Sequence, residues 1–227
     1  YAVITGRAKH NIAADLRGAL RPRKTVHRAA VLEPEKVGQL LRDIDAYEGY
    51  FPLICALKLA PLVFTRPTEL RAAQWKEFDL ESGEWRIPAE RMKMRRQHLV
   101  PLSRQAISIL RELQKYSGEG TYLFPSIRTE VRPISDATML NALRRMGYQK
   151  HEMSVHGFRS IASTLLNELG YNRDWIERQL AHGEQDEVRA AYNYAEYLPE
   201  RRRMMQDWAD YLDGLRHAKR KGSGDTV

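Results

Sequence analysis

The stretch FPLICALKLAPLVF, residues 51–64, and the TRPTELR that follows it, residues 65–71, decide the fold. The first part is apolar except for Lys58 and is interrupted by Pro61, so it falls short of the roughly 20 apolar residues of a membrane-spanning helix. A helix that is apolar on all sides is expected to lie in the core of a domain. The sequence therefore predicts a buried helix here.

Arg66 directly follows this helix, which places it at the rim of the core rather than on a freely solvated face. Pro67 or Thr68 is expected to begin a short helix, because proline is favoured in the first helical turn. Glu69 comes three residues after Arg66 and is therefore placed to hold its guanidinium group. The alternative interpretation is that Arg66 only caps the preceding helix.

The rest of the chain is predicted to be mostly helical, from the spacing of its apolar residues and from the capping residues between them. Short aromatic and β-branched segments separated by turns predict a small antiparallel sheet of three strands. The expected fold class is α+β, mainly α, with residues 118–132 as a loop. The expected helices cover residues 12–20, 34–44, 50–62, 103–116, 135–146, 156–169, 175–180, 187–197 and 199–215, and the expected strands cover residues 75–79, 84–87 and 98–101.

The charge of the chain favours a polyanionic partner. Its 227 residues include 37 Lys and Arg against 29 Asp and Glu, which gives a formal net charge of +8. Phosphate contacts supply most of the affinity when such proteins bind nucleic acid, although many basic proteins bind none. The single cysteine, Cys55, excludes an internal disulfide and a cysteine-built zinc site, and it indicates a reducing cytoplasm.

The two ends of the chain differ from its middle in composition. Residues 1–30 are basic, residues 31–215 have the pattern of a folded domain, and residues 216–227 are basic and then rich in Gly and Ser. The last segment is therefore expected to be a flexible tail. Because the chain begins with Tyr1 and has no initiator methionine, we expect it to be a fragment of a longer protein.

The most informative short motif is His156-Gly157-Phe158-Arg159. A histidine and an arginine three residues apart at the beginning of a helix lie on one face, and the helix N-terminus itself favours an anion. The glycine allows another part of the backbone to approach closely. The motif alone is weak, because such a pair on a basic protein is most often a surface feature.

Further chemically competent residues lie at the ends of predicted elements. Lys93 is in a basic turn between two strands, His182 follows a helix, and Tyr192 comes ten residues later. The ordered set resembles the tyrosine recombinase (phage integrase) family and is most similar to integrases of satellite phages and genomic islands. The resemblance covers roughly residues 31–212, and it implies that residues 1–30 are the end of a missing core-DNA-binding domain plus a basic linker. Its motifs are residues 66–71, 92–103, 156–159 and 180–182, and its six site residues are Arg66, Lys93, His156, Arg159, His182 and Tyr192.

The resemblance implies the DNA breaking-rejoining fold and site-specific recombination through a covalent 3′-phosphotyrosyl intermediate. When a phosphodiester is attacked, negative charge builds on its non-bridging oxygens, and Arg66 and Arg159 are suited to stabilise it. Tyr192 is the expected nucleophile, and His156 is expected to move its proton. Lys93 is expected to give a proton to the departing sugar oxygen.

The resemblance also implies roles for residues around this centre. His182 is expected to hydrogen-bond a phosphate oxygen, and Glu69 is expected to orient Arg66. The basic turn is expected to reach into the DNA. No cofactor and no metal ion is expected, because the sequence shows no carboxylate cluster to hold two magnesium ions and the two arginines take their place. The residues of the turn that are predicted to bind DNA are Arg91, Arg95 and Arg96.

The partners implied by the resemblance are double-stranded DNA at attachment sites and further copies of the same protein. We expect a tetramer on DNA, and a monomer remains an open alternative for the isolated fragment. Accessory DNA-bending or directionality proteins are a further implied class of partner, and no membrane partner is expected. The expected location is the cytoplasm of a bacterium, with the gene carried by the bacterium or by a phage.

Several alternatives stay open at this point. Tyr194 competes with Tyr192 as nucleophile, although Tyr192 has the expected spacing from His182. The apolar stripe of the last predicted helix, with Trp208 at its centre, packs either on its own domain or on a neighbouring protomer. The alternative functions are a type IB topoisomerase, which shares the chemistry but relaxes supercoils, a DNA-binding module without catalysis, and a metal-dependent nuclease.

Overall fold

The computed structural model describes residues 1–11, 14, 29–182 and 197–218. In these ranges the chain forms eight α-helices and five short strands. The helices are α1 (Pro34–Asp45), α2 (Phe51–Val63), α3 (Pro67–Arg71), α4 (Arg104–Ser117), α5 (Asp136–Arg145), α6 (Gly157–Glu168), α7 (Arg173–Gln179) and α8 (Leu198–His217). The strands are β1 (Phe78–Asp79), β2 (Glu84–Ile87), β3 (His98–Pro101), β4 (Pro125–Ser126) and β5 (Thr129–Pro133).

Helix α2 lies at the centre of the domain, in contact with α1, α4, α5, α6 and α8. Ten of its 13 residues are buried, which confirms the buried helix predicted from its apolar sequence. Cys55 belongs to this buried surface, and burial raises the pKa of its thiol to about 11. None of the helices in the described ranges is long and apolar enough to cross a membrane.

Helix α2 ends at Phe64, whose backbone has a left-handed conformation with φ of 34°. A bulky residue rarely adopts positive φ, so this turn is strained. Phe64 is fully buried, and its ring packs edge-on against Trp208 with 6.3 Å between the ring centroids. This packing holds the turn that leads out of the core to Arg66.

Helix α8 packs against α1 and α2 of its own domain. Its apolar stripe is buried there, which decides between the two interpretations of the stripe in favour of packing on the same domain. The indole N–H of Trp208 donates to the carbonyl of Pro61 at 2.9 Å, so the helix is joined to α2 by a hydrogen bond as well as by packing. The buried residues of the stripe are Met204, Met205, Trp208 and Leu212.

Strands β1, β2 and β3 form an antiparallel sheet in that order. Trp85 pairs with Val100, and Ile87 pairs with His98. These four residues are buried, whereas Arg86 between two of them is exposed, as expected for a sheet with one face on the core. The expected fold class, mainly helical α+β with a small three-stranded antiparallel sheet, is confirmed.

Two expectations for the irregular segments were wrong. Residues 75–77 form a 3-10 turn, closed by the Glu77 N–H on the Gln74 carbonyl at 3.0 Å, so β1 is shorter than predicted. Residues 118–132, expected to be a loop, contain most of the hairpin formed by β4 and β5. The side chains of β5 are exposed or half-buried throughout, so they lack the alternation that reveals a strand in a sequence.

Some expectations concern residues outside the described ranges. They are the helix over 12–20, nearly all of the helix over 187–197, and the tail from residue 219 onward. The remaining helices occur within a few residues of their expected bounds, and the Ser103 hydroxyl caps α4 by accepting the Ala106 N–H at 3.3 Å.

Trp208→Ala is expected to lower the free energy of unfolding by roughly 3–5 kcal/mol, because it leaves a cavity between α8 and α2 and an unpaired carbonyl at Pro61. Urea unfolding followed by circular dichroism measures this loss. Trp175→Ala is the matched control, since Trp175 is only half-buried, and its loss is expected to be clearly smaller. Equal losses in the free energy of unfolding for the two variants would contradict the conclusion that Trp208 joins α8 to α2.

Candidate active site

The expected site residues Arg66, Arg159 and His182 meet at the C-terminal end of α7. Arg159, from the first turn of α6, is 4% exposed. One of its terminal nitrogens donates to the Phe64 carbonyl at 2.8 Å, and the other donates to the Leu180 carbonyl at 2.7 Å. The guanidinium group is therefore fixed between the end of α2 and the end of α7.

Arg66 reaches the same place from the other side, as the residue that precedes α3. The expected pairing with Glu69 is present, because Nη1 of Arg66 contacts the carboxylate at 2.8 Å and its backbone N–H donates to the same carboxylate at 2.8 Å. The second terminal nitrogen, Nη2, donates to the Ala181 carbonyl at 3.0 Å. Glu69 is 2% exposed, so the arginine is held by a buried carboxylate.

Three successive carbonyls at the end of α7 organise these contacts, and we call them the carbonyl triplet. The Gln179 carbonyl is 3.1 Å from Nε2 of His98, and the Leu180 and Ala181 carbonyls accept from Arg159 and Arg66 as described. The carbonyls at a helix C-terminus have no partner within the helix and carry partial negative charge, which suits cationic donors. Ala181 has a left-handed backbone with φ of 49°, where the helix ends.

The two guanidinium groups are close enough to affect each other electrostatically. Burial, and then the positive charge of Arg66, lower the pKa of Arg159 to about 10. Arg159 therefore stays charged at neutral pH, and the site combines two cations in one place. Binding an anion between them relieves their mutual repulsion, so the arrangement is suited to a phosphate group.

His182 completes this cluster from the residue after the carbonyl triplet. Its Nε2 lies 3.1 Å from an amino nitrogen of Arg159, and its Nδ1 lies 2.7 Å from a carboxylate oxygen of Glu177. Because a guanidinium group only donates, this geometry assigns Nε2 as the acceptor and Nδ1–H as the donor to Glu177. Glu177 was not predicted from the sequence, because its approach to His182 depends on the left-handed turn at Ala181.

Helix α6 begins at Gly157, with His156 as its half-buried N-cap residue. A Cβ atom on Gly157 would lie 2.7 Å from the Ala29 carbonyl oxygen, so the expected close backbone approach is present. The Ser154 hydroxyl donates to the same carbonyl at 3.1 Å. These contacts fix the beginning of α6 and with it both His156 and Arg159.

Lys93 stands apart from this cluster, exposed on the turn between β2 and β3. Arg95 and Arg96 are exposed on the same turn, and Arg95 has a left-handed backbone with φ of 49°. Arg91 differs from them, because it is paired with the buried carboxylate of Glu77 and also donates to a backbone carbonyl of α3. Arg91 thus anchors the base of the turn, and DNA contact by Arg91 stays a prediction.

Tyr192 and Tyr194 lie outside the described residues. Within the ranges that are described, no group of three or more His, Cys, Asp and Glu side chains is arranged to hold a metal ion. Of the six expected site residues, the five other than Tyr192 lie in the described ranges, and Arg66, Arg159 and His182 are in contact with the end of α7.

The sequence profile of the phage integrase family matches residues 30–198 of this chain. The chain belongs to the phage integrase family. It is 44% identical to the integrase of Enterobacteria phage P4 over 228 aligned residues, which cover 94% of this chain and 52% of that integrase. Integrase relatives in Escherichia coli K12 are covered to a similar extent, so the chain spans about half the length of the curated relatives it matches.

Solved structures of lambda integrase share the fold of this integrase-family domain. A lambda integrase dimer bound to a COC′ core site superimposes with a TM-score of 0.59 at 20% identity, over 81% of this chain and 67% of that chain. A lambda integrase tetramer bound to a Holliday junction gives a TM-score of 0.58 at 20% identity, over 82% and 55% of the two chains. At these identities the likeness concerns the fold.

His98, which the sequence analysis did not single out, is buried in β3 beside the site. Burial, and then the positive charges of Arg201, Arg178 and Arg159, lower its pKa to about 3, although its contact with the Gln179 carbonyl acts in the opposite direction. The folded domain therefore holds His98 neutral, with Nε2–H donating to that carbonyl.

The unfolded chain takes up a proton on His98 below about pH 6.5, whereas the folded chain does not until about pH 3. The contribution of His98 to stability is therefore retained above pH 6.5 and lost as the pH falls, by up to about 1.4 kcal/mol per pH unit. Urea unfolding of the wild type and of His98→Gln between pH 7 and pH 4 measures it. The variant is expected to show the flatter pH dependence, and parallel curves would contradict the assignment.

Proposed function

We propose that this chain is the catalytic part of a site-specific tyrosine recombinase, which integrates or excises a phage or genomic island at attachment sites in double-stranded DNA. The observation that carries the proposal is the pair of guanidinium groups, Arg66 and Arg159, fixed side by side on the carbonyl triplet. Residues 31–215 would form the catalytic domain, acting in the cytoplasm where the DNA lies.

The two arginines have donors left for a phosphate. A guanidinium group has five N–H bonds, of which Arg66 uses two and Arg159 uses three in contacts with described residues. The remaining N–H groups supply charge-assisted hydrogen bonds to the non-bridging oxygens, where negative charge builds during attack at phosphorus. Because their positions are fixed before the DNA binds, little reorganisation is needed in the transition state.

The proposed reaction is a transesterification in which Tyr192 is the nucleophile. Its phenolic oxygen forms a bond to phosphorus, and the bond from phosphorus to the 5′ oxygen of the next nucleotide breaks. His156 accepts the phenolic proton, and Lys93 gives a proton to the departing oxygen. The products are a 3′-phosphotyrosyl link and a free 5′ hydroxyl, and attack by a 5′ hydroxyl from a partner strand reverses the step without ATP.

His182 is proposed to hydrogen-bond a phosphate oxygen beside the two arginines. For this bond Nε2 exchanges its contact with Arg159 for the phosphate and carries a proton, so that it donates to the phosphate while Nδ1–H still donates to Glu177. Its side chain is 46% exposed, so DNA is able to reach it, and its contact with Glu177 orients the ring. Glu69 and Glu177 then act in parallel, since each holds one of the phosphate-binding side chains through a carboxylate. Neither carboxylate is proposed to touch the DNA.

DNA and further copies of the chain are the proposed partners. The relative from phage P4 is an integrase, and the lambda integrase structures contain a dimer on a core site and a tetramer on a Holliday junction. We propose the same kind of assembly, a tetramer on two DNA duplexes, for the full protein. Accessory DNA-bending or directionality proteins would act on this assembly.

Tyr192→Phe is expected to abolish covalent attachment to DNA, because the variant lacks the nucleophilic oxygen, while Tyr194→Phe is expected to retain it. The full-length protein is incubated with nicked duplexes made from the DNA that flanks its gene, and protein–DNA adducts are detected on denaturing gels. Adducts that vanish only in Tyr194→Phe would overturn the assignment. A supercoil relaxation assay on the same proteins separates recombinase from topoisomerase activity.

Arg95→Gln combined with Arg96→Gln is expected to weaken DNA binding and to make it less dependent on salt. Each lost phosphate contact reduces the slope of log affinity against log salt by about 0.9. Fluorescence anisotropy with a labelled duplex at several salt concentrations measures both effects. An unchanged slope would exclude phosphate contacts by these two arginines.

Arg91→Gln is the matched control on the same turn. It is expected to leave the salt slope nearly unchanged and to lower the free energy of unfolding by roughly 3 kcal/mol, because the buried carboxylate of Glu77 loses its cationic partner and keeps only the hydrogen bond from the Trp85 indole N–H at 2.9 Å. A reduced slope in Arg91→Gln with unchanged stability would instead place Arg91 among the DNA contacts.

A further inference from the structure

Arg201 is a buried arginine in the first turn of α8, with 1% of its surface exposed. Its Nε and Nη2 donate to the side-chain oxygen of Gln179 at 3.2 and 2.7 Å. Nη2 also donates to the carbonyl of Leu99 in β3. A single side chain of α8 thus binds both α7 and the sheet.

Gln179 connects this arginine to the site. It is fully buried as the last residue of α7, and its own carbonyl is the first of the carbonyl triplet, in contact with His98 at 3.1 Å. Arg201, Gln179 and His98 therefore form one buried hydrogen-bonded unit, which we call the clamp. The clamp joins α7, α8 and β3 at the point where the next two carbonyls bind Arg159 and Arg66.

The elements joined by the clamp adjoin two parts of the proposed site. His182 directly follows the carbonyl triplet, and β3 begins at His98, two residues after the turn that carries Lys93 and Arg96. A shift of the end of α7 would therefore move His182 and release the arginines together. A shift of β3 would move the turn relative to them.

We propose that Arg201 is a positioning residue for the DNA cleavage reaction, acting through Gln179 to hold the carbonyl triplet in place. The expected loss of cleavage rate rests on the proposed function, whereas the expected displacement of the carbonyl triplet rests on the geometry of the clamp alone. Arg201 suits the role because its planar guanidinium group holds two acceptors on different elements at fixed angles. Its burial means that water does not compete for these hydrogen bonds.

Arg202 provides a matched control in the same helical turn. It also ties α8 to the sheet, through the Glu84 carboxylate and the Ser82 carbonyl at 2.9 Å, but it has no contact with the clamp. Glu84 keeps Arg86 as a partner when Arg202 is replaced, so the substitution leaves no buried carboxylate unpaired. Arg201→Gln and Arg202→Gln thus remove the same charge from neighbouring positions.

The first test measures cleavage of a nicked duplex, made from the DNA that flanks the gene, in single turnover by the full-length protein. Arg201→Gln is expected to slow cleavage by roughly 10- to 100-fold, as misplacement of fixed catalytic groups does, with the Kd for the duplex changed by less than about threefold. Arg202→Gln is expected to cleave within about threefold of the wild type. Equal rates for the two variants would overturn the inference.

The second test does not depend on activity. Histidine side-chain NMR spectra of the labelled full-length protein without DNA report the environment of His182, with His182→Gln to assign its signals. Arg201→Gln is expected to shift these signals, and Arg202→Gln is expected to leave them in place. If the wild type forms no covalent adduct but the two variants show this pattern of His182 signals, only the proposed function is refuted. If the wild type forms adducts but the His182 signals of Arg201→Gln stay in place, only the positioning role is refuted.

Gln179→Met keeps the inference testable if Arg201→Gln unfolds, because it removes the same contact from the other side. Circular dichroism and urea unfolding establish which variants are folded. Gln179→Met is expected to slow cleavage as much as Arg201→Gln does, and the double variant is expected to be no slower than either one. Independent, multiplying effects of the two substitutions would show that they do not act through one contact.

Discussion

The C-terminal end of α7 is the constraint on which the proposed site depends. Three consecutive carbonyls there bind a histidine from the sheet, an arginine from α6 and an arginine from the residue before α3. A helix C-terminus is a natural place to collect cations, since its last carbonyls have no partner in the helix and carry partial negative charge. These backbone groups partly offset the mutual repulsion of the two neighbouring guanidinium groups when no anion is bound.

The contact of Arg159 with the Phe64 carbonyl connects the site to the hydrophobic core. Phe64 ends the central helix in a strained left-handed turn, packs its ring against Trp208, and offers its carbonyl to Arg159. Trp208 in turn is bonded to Pro61 of the central helix. The strained turn at Phe64 is thus stabilised by packing of its ring and by the charge-assisted hydrogen bond to its carbonyl. The position of Arg159 therefore depends on the packing of the core.

Local patterns in the sequence were enough to predict the helices of the described ranges, the three-stranded sheet, and the pairing of Arg66 with Glu69. Each of these depends on residues a few positions apart, where periodicity and capping act directly. The exposed β4–β5 hairpin was missed because its side chains have no buried face to create a pattern. Glu177, Gln179 and Arg201 were missed for another reason. Their roles depend on backbone turns and on contacts between distant segments, which spacing along the chain does not encode.

The burial of Cys55 has a practical consequence. It is the only cysteine in the sequence, it is 3% exposed, and its thiol is held protonated in the central helix. Thiol-directed reagents need an accessible thiolate, so the native chain offers them almost no background reaction. A fluorophore or spin label attached to one cysteine introduced at an exposed position, such as Ile127 in the turn of the β4–β5 hairpin, therefore reports from a single known place. In the assembly proposed above, distances between copies of this chain would be measurable in solution without replacing Cys55.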